Sequence, residues 1–215
     1  MLPLSLANES LQLLPEAALF WEAPRILFLA DLHLGKAAHF RKNGIPIPGN
    51  VQGANLERFR QLVEKTQPER VIFLGDLFHS RLNQAWEAFV EVLDQFPAVS
   101  FELVQGNHDI LPKSAYEDAH LVIHQGDLDL KPFLLRHFPM DVENLPLDRY
   151  VLAGHVHPGI RLQGAGRQRL RLPCFYFTDR QGILPAFGAF TGLGLIEPKK
   201  EDRVFVLAEG EVFQV

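Results

Sequence analysis

The sequence predicts an α/β fold built on a mixed sheet, or on two sheets packed face to face, with helices mainly from the first half of the chain. Three observations carry this expectation. Apolar runs at residues 25–30, 71–74 and 99–104 read as buried strands, and amphipathic helical segments separate them. Helical periodicity fades after about residue 120, where short strands take over. Of the 215 residues, 47% are hydrophobic, which suffices for a substantial core and argues against disorder.

The elements follow in order. Arg25 to Ala30 is almost uninterrupted apolar sequence and reads as the first clear strand. Ala54 to Thr66 reads as a helix with Leu56, Phe59, Leu62 and Val63 on one face. Val71 to Leu74 is a second buried strand. Asn83 is placed to cap a helix in which Trp86, Phe89, Val90 and Leu93 repeat at helical spacing. Val99 to Val104 is a third strand. Strand and helix in alternation imply right-handed crossovers and a parallel core. Beyond it, residues 121–124, 132–136, 150–153, 169–177 and 204–208 read as short strands, and 212–215 as a last edge strand. No repeat, linker or low-complexity tract divides the chain, so residues 1–215 read as one domain.

A formal charge of −5 argues against a basic coat for nucleic acid, although a local positive site is compatible with it. Cys174 is the single cysteine, so no internal disulfide forms, and its setting reads as a buried strand. The N-terminus has no basic region followed by a continuous apolar stretch, and no apolar run is long enough to span a bilayer. These features lead to the expectation of a cytoplasmic protein without membrane partners.

Polar clusters follow five of the apolar strands: Asp31-Leu32-His33, Gly75-Asp76-Leu77-Phe78-His79, Gly106-Asn107-His108-Asp109, His137, and Gly154-His155-Val156-His157. Ligand sites in open α/β sheets gather beyond the carboxyl ends of strands, so the five can converge on one rim. Carboxylate, imidazole and amide oxygen suit Mn²⁺, Fe²⁺, Zn²⁺ or Co²⁺ better than Cu(I) or an iron–sulfur cluster. Residues two apart in extended chain share a face, so Asp31 and His33 can grip or flank one ion, and His155 and His157 can each face a different one. Singly, each histidine reads more commonly as a hydrogen-bonded core or surface residue, and Asp31, Asp76 and Asn107 read also as turn residues. The order and spacing of the whole set favour the metal reading.

Together the five blocks resemble those of the calcineurin-like metallophosphoesterases. That resemblance implies a four-layer αββα sandwich of two mixed sheets flanked by helices. It also implies two divalent ions, manganese foremost with Fe, Zn or Co as alternatives. One ion would take Asp31, His33, Asp76 and His157; the other would take Asp76, Asn107, His137 and His155, with Asp76 bridging. His137 rests on its place in the order and at a strand end, since Leu135-Arg136-His137-Phe138-Pro139 lacks the family's glycine context. His108 is implied as the general acid, partnering attack by a hydroxide held between the ions. Asp109 would orient His108 or cap the next segment. His79 would touch the scissile phosphate or hold its neighbours.

Further stretches are similar to the DNA ligase-associated, PdeM-type metallophosphoesterases, described as DNA damage response endonucleases. They are the run from Asp31 to Phe40, Gly44-Ile45-Pro46-Ile47-Pro48, Leu172-Pro173-Cys174-Phe175, and Pro185 to Gly192. This narrower resemblance implies a DNA substrate, single-stranded or unpaired, a role in DNA repair, and association with a DNA ligase and a helicase. Lys36 and Arg41 are candidate phosphate contacts, with solvated surface charge as the plain alternative. His39, inside the same motif, is a candidate substrate contact, whereas His120 and His124 read as ordinary polar residues. Two other readings share the metal motifs: an esterase for a small phosphorylated metabolite or nucleotide, and a non-catalytic protein-binding scaffold. The complete ligand set argues against the scaffold.

Overall fold

The N-terminal twenty residues lack a long apolar run, yet their leucines alternate. That alternation folds them into a meander: β1 (Leu2–Leu6), β2 (Glu9–Leu14), β3 (Ala18–Trp21) and β4 (Ile26–Leu29) pair antiparallel in sequence. The computed structural model describes residues 1–36, 51–79, 82–163, 169–189 and 191–215. From β4 onward the first sheet becomes parallel, adding β5 (Arg70–Phe73), β6 (Ser100–Val104) and β7 (Leu121–His124) in that order. The crossovers run through α1 (Val51–Thr66), α2 (Gln84–Leu93) and the short α3 (Lys113–Asp118). Asn83 caps α2 as its residue type favours, accepting a 2.8 Å hydrogen bond from the Ala85 amide.

The second sheet is made from the second half of the chain. Its strands are β8 (Leu128–Leu130), β9 (Phe133–Leu135), β10 (Tyr150–Ala153), β11 (Pro158–Gln163), β12 (Arg169–Phe177), β13 (Gln181–Ile183), β14 (Gly194–Leu195), β15 (Arg203–Ala208) and β16 (Glu211–Gln214). They run β14-β11-β12-β13-β10-β9-β8, while β15 pairs with β12 and carries β16. β10 is parallel to both β9 and β13, so this sheet is mixed as well.

The two-residue period of a strand sorts side chains into two cores. On β5, Val71 and Phe73 pack with Phe59, Trp86, Phe89 and Tyr116 under the helices. Ile72 and the following Leu74 face the other way, against Phe133, Leu152, Phe175 and Phe177 of the second sheet. Cys174 is buried with Val204 and Val206 on the outer side of β12, and burial pushes its thiol up to about 12. The layers are therefore unequal. Helices cover the first sheet. Among the described residues, the outer side of the second carries only a 3₁₀ turn, Val142–Asn144, tied down where Arg180 donates to the Leu145 and Val142 carbonyls. No helix among the described residues is long and apolar enough to cross a membrane.

This sandwich brings the carboxyl ends of β4, β5, β6, β9 and β10 to one edge. Backbone bonds fasten them there: the Asp31 amide donates to the Gly75 carbonyl, Gly154 to His137, and Leu184 to Ala153.

Candidate metal centre

Asp31, His33, Asp76, His155 and His157 all adopt left-handed backbone conformations, with φ of 54°, 49°, 50°, 68° and 50°. The extended geometry expected for the Asp31–His33 and His155–His157 pairs therefore gives way to tight turns. Such a conformation costs a non-glycine residue about 1–2 kcal/mol and survives only where the surroundings enforce it. Here the enforcement is visible. The His33 amide donates to the Asp76 carbonyl at 2.9 Å and Leu34 to Leu77 at 2.9 Å, zipping the first two motif loops together. The turns aim polar side chains inward from strands that are otherwise apolar.

Two groups of side chains result. Asp31, His33 and His157 form one; Asp76, His137 and His155 form the other; within each, the ligand-type atoms lie within 4.8 Å of one another. In the first, Nε2 of His33 is 3.1 Å from Nε2 of His157, which is 3.4 Å from Oδ1 of Asp31. In the second, Nε2 of His137 is 3.1 Å from Nδ1 of His155, 3.1 Å from Oδ1 of Asn107 and 3.4 Å from Oδ1 of Asp76. Asp76 stands between them, its Oδ2 3.8 Å from Nε2 of His33.

The donor set fits cations. Nδ1 of His137 is 3.0 Å from the Leu74 carbonyl and Nδ1 of His157 is 3.2 Å from the Gly192 carbonyl. A ring whose Nδ1 carries the hydrogen donates it to that backbone oxygen and turns the lone pair of Nε2 toward the centre. Burial foremost, and then the Lys36 ammonium nearby, hold the His33 ring down to about 2, so it is neutral. Asp31 and Asp76 are 0% and 2% exposed, and Oδ1 of Asp31 has no hydrogen-bond partner. Ring nitrogens and buried carboxylate oxygens that converge at these distances suit a bound cation.

The remaining candidates fall around this centre. Asn107 reaches the second group through His137, as above. The His108 side chain is 42% exposed, with Nε2 4.0 Å from Oδ2 of Asp76 and its ring centroid 3.9 Å from that of His79. Asp109 does not face His108. It is buried, and its two oxygens accept the amides of Phe78 at 3.1 Å and Gly106 at 2.8 Å, clamping the second and third motif loops together. Burial raises its carboxyl to about 6. The geometry is that of a loop clamp, which is neither the orienting nor the capping role expected from the sequence. Lys36 is half-buried; burial lowers its ammonium against the attraction of Asp76 and Asp31. His39 and Arg41 lie outside the described residues.

Sequence reasoning passed over two features. A Cβ on Gly75 would stand 2.1 Å from Nδ1 of His137, so the strand-end glycine leaves room for the histidine ring. Phe138, next to His137, is 44% exposed and packs its ring 4.6 Å from that of His137 and 4.5 Å from that of His155. Its signal was position alone, since one phenylalanine after a histidine has no periodicity. Phe187, Gly188 and Gly192 wall one side of the centre. Phe187 and Gly188 donate to the Ala30 and Asp31 carbonyls, and Gly192 receives His157.

The calcineurin-like phosphoesterase family model matches residues 24–173. A crystal structure of nuclease MPE from Pseudomonas putida shares 32% identity, with a TM-score of 0.84 over 100% of this chain and 99% of that one. YfcE, a phosphoesterase from E. coli, is similar at 16% identity and a TM-score of 0.46, covering 88% of this chain and 97% of its own. No curated relative matches by sequence. The match spans both sheets and every motif loop of the centre, and the chain belongs to the calcineurin-like phosphoesterase family of metal-dependent hydrolases.

Proposed function

We propose that the protein is a dinuclear metal-dependent phosphodiesterase that cleaves DNA, with single-stranded or unpaired regions preferred. The observation that carries the reading is the pair of facing donor groups with Asp76 between them, one carboxylate oxygen turned toward each. In this reading Asp31, His33, Asp76 and His157 hold one ion, and Asp76, Asn107, His137 and His155 hold the other. A divalent pair supplies a hydroxide nucleophile at neutral pH and positive charge for the non-bridging phosphate oxygens.

The chain's own residues do the rest. His108 is exposed toward solvent and places its ring over the carboxylate side of the centre, where it donates a proton to the departing alkoxide as the ester P–O bond breaks. His79, against the His108 ring, sets the direction of that proton. Lys36 adds a partly desolvated positive charge beside the two aspartates, where it meets a phosphate oxygen. Asn107 and His155 are exposed, so a strand reaches the centre from solvent on that side. The nuclease neighbour at 32% identity supports nucleic acid over a small metabolite. Manganese as native metal, a place in cytoplasmic DNA repair, and association with a DNA ligase and helicase belong to the same proposal and rest on sequence resemblance.

The test is incubation with Mn²⁺ and circular single-stranded DNA, matched duplex DNA, a chromogenic phosphodiester and a nucleoside monophosphate. Asp76→Ala serves as the contamination control. Cleavage of single-stranded DNA by the wild type and not by the variant is expected. Intact DNA alongside rapid hydrolysis of the monophosphate would replace this reading with a metabolite phosphoesterase.

A further inference from the structure

Phe138 belongs to none of the three hydrophobic clusters, although most of the described phenylalanines do. Its ring contacts are instead His137 in an edge arrangement and His155 at a tilt of 58°. Both histidines line the second donor group, so 44% of this residue stays in water at the lip of the centre. Apolar ring surface left in water is unfavourable, and packing against two polar rings offers the core little. An aromatic face beside a phosphate-binding centre is a stacking platform for a base, the sequence-tolerant contact of single-strand binding sites.

We propose that Phe138 stacks on the base of a nucleotide flanking the scissile phosphate and thereby selects unpaired strands. The inference rests on the DNA reading above and gives it a physical origin. Bases inside a duplex are already stacked on both faces and present only their edges, so Phe138 has nothing to gain from them without unstacking. An unpaired base swings onto the ring while its phosphate stays at the centre. The chain carries a formal net charge of −5, which disfavours tracking a backbone by charge, and a stacked base substitutes for that. The contact is made equally in ground and transition states, so it acts on KM more than on kcat.

Phe138→Ala, Phe138→Trp and wild type are compared, metal content being measured first. The substrates are a single-stranded oligonucleotide, the same strand with abasic residues flanking the cleaved linkage, and its duplex. In the wild type, abasic residues should lower kcat/KM about tenfold, within the range that base–aromatic stacking supplies. Phe138→Ala should lower cleavage of the intact strand by the same factor, through KM. It should leave the abasic strand and the duplex near wild type, and Phe138→Trp should restore the difference. An equal loss on all three substrates, or lost metal, would show that the ring merely props His137 and His155 and would overturn the proposal. So would an unchanged preference. If the wild type cleaves no DNA at all, the nuclease reading itself has failed, which is a separate result.

Discussion

The His108 side chain is 42% exposed, an openness shared with Asn107 and His155, whereas Asp31, His33, Asp76 and His137 are buried. It also stands outside both donor groups. Its backbone, by contrast, is fixed, since the His108 amide donates to Oδ1 of Asp76 at 2.9 Å. A side chain that contributes no ligand atom but is held at the rim suits proton transfer. His108→Ala should therefore leave metal content unchanged and lower kcat by roughly 10²–10⁴-fold. Poor leaving groups should lose most, because a weakly basic phenolate departs with little protonation. Turnover measured across a series of aryl and alkyl phosphodiesters checks this, and a uniform loss would remove the acid role. Asp109 shows the limit of reading residues one at a time. Its adjacency to His108 in sequence suggested an orienting partner, yet its carboxylate binds the Phe78 and Gly106 amides. Only the spatial meeting of two loops reveals that, and no spacing in the chain encodes it.

At the scale of elements, the legible parts were those with strong local signals. The apolar runs became β4, β5 and β6, and the amphipathic stretches became α1 and α2. Arg169–Phe177 is a strand with the bounds its sequence suggested. The N-terminal meander was missed because Leu4, Leu6, Leu11 and Leu13 alternate with polar residues and form no continuous apolar run. β13 and β14 have two or three residues each and owe their existence to partners far along the chain. The motif loops were legible as a set, but their left-handed turns were not, since Asp and His tolerate that conformation without requiring it. The conformation comes from the loops fastening to each other. Gly75 tests that interlock. It has φ of +84°, and an added Cβ would meet His137. Gly75→Ala should displace His137 from the Leu74 carbonyl, cost about 1–3 kcal/mol through strain and overpacking, and remove about one equivalent of metal. Urea denaturation and elemental analysis measure both, and retention of two equivalents would contradict the arrangement.

For the whole molecule, the centre is a local electrostatic burden placed between two well-packed cores. Asp31 and Asp76 are both nearly inaccessible, and the His137 and His157 rings set Nδ1 against backbone carbonyls, which leaves Nε2 facing the centre. The half-buried Lys36 ammonium and the His108 and His155 amides offset these carboxylates only in part, so the metal-free fold holds two closely spaced buried acidic groups at a cost that the hydrophobic layers must offset. Cations bound to the folded chain alone would relieve this and add stability of about 2.7 kcal/mol at a hundredfold excess over Kd for one site. For a chain of this size each kcal/mol moves Tm by roughly 2–4 °C. Chelation should accordingly lower the wild-type Tm by at least about 5 °C, with Mn²⁺ restoring it. Asp76→Ala adds the discriminating arm, because it removes one of the two carboxylates and the shared ligand together. That variant should show little response to metal, and without metal it should melt at or above the chelated wild type, although it deletes a buried side chain. Stability given up for function has this signature. Calorimetry of the two proteins with EDTA and with Mn²⁺ decides it. A chelated wild type that melts with the metal-loaded one would mean that the carboxylates are neutralised within the protein, and the dinuclear reading would lose its physical basis.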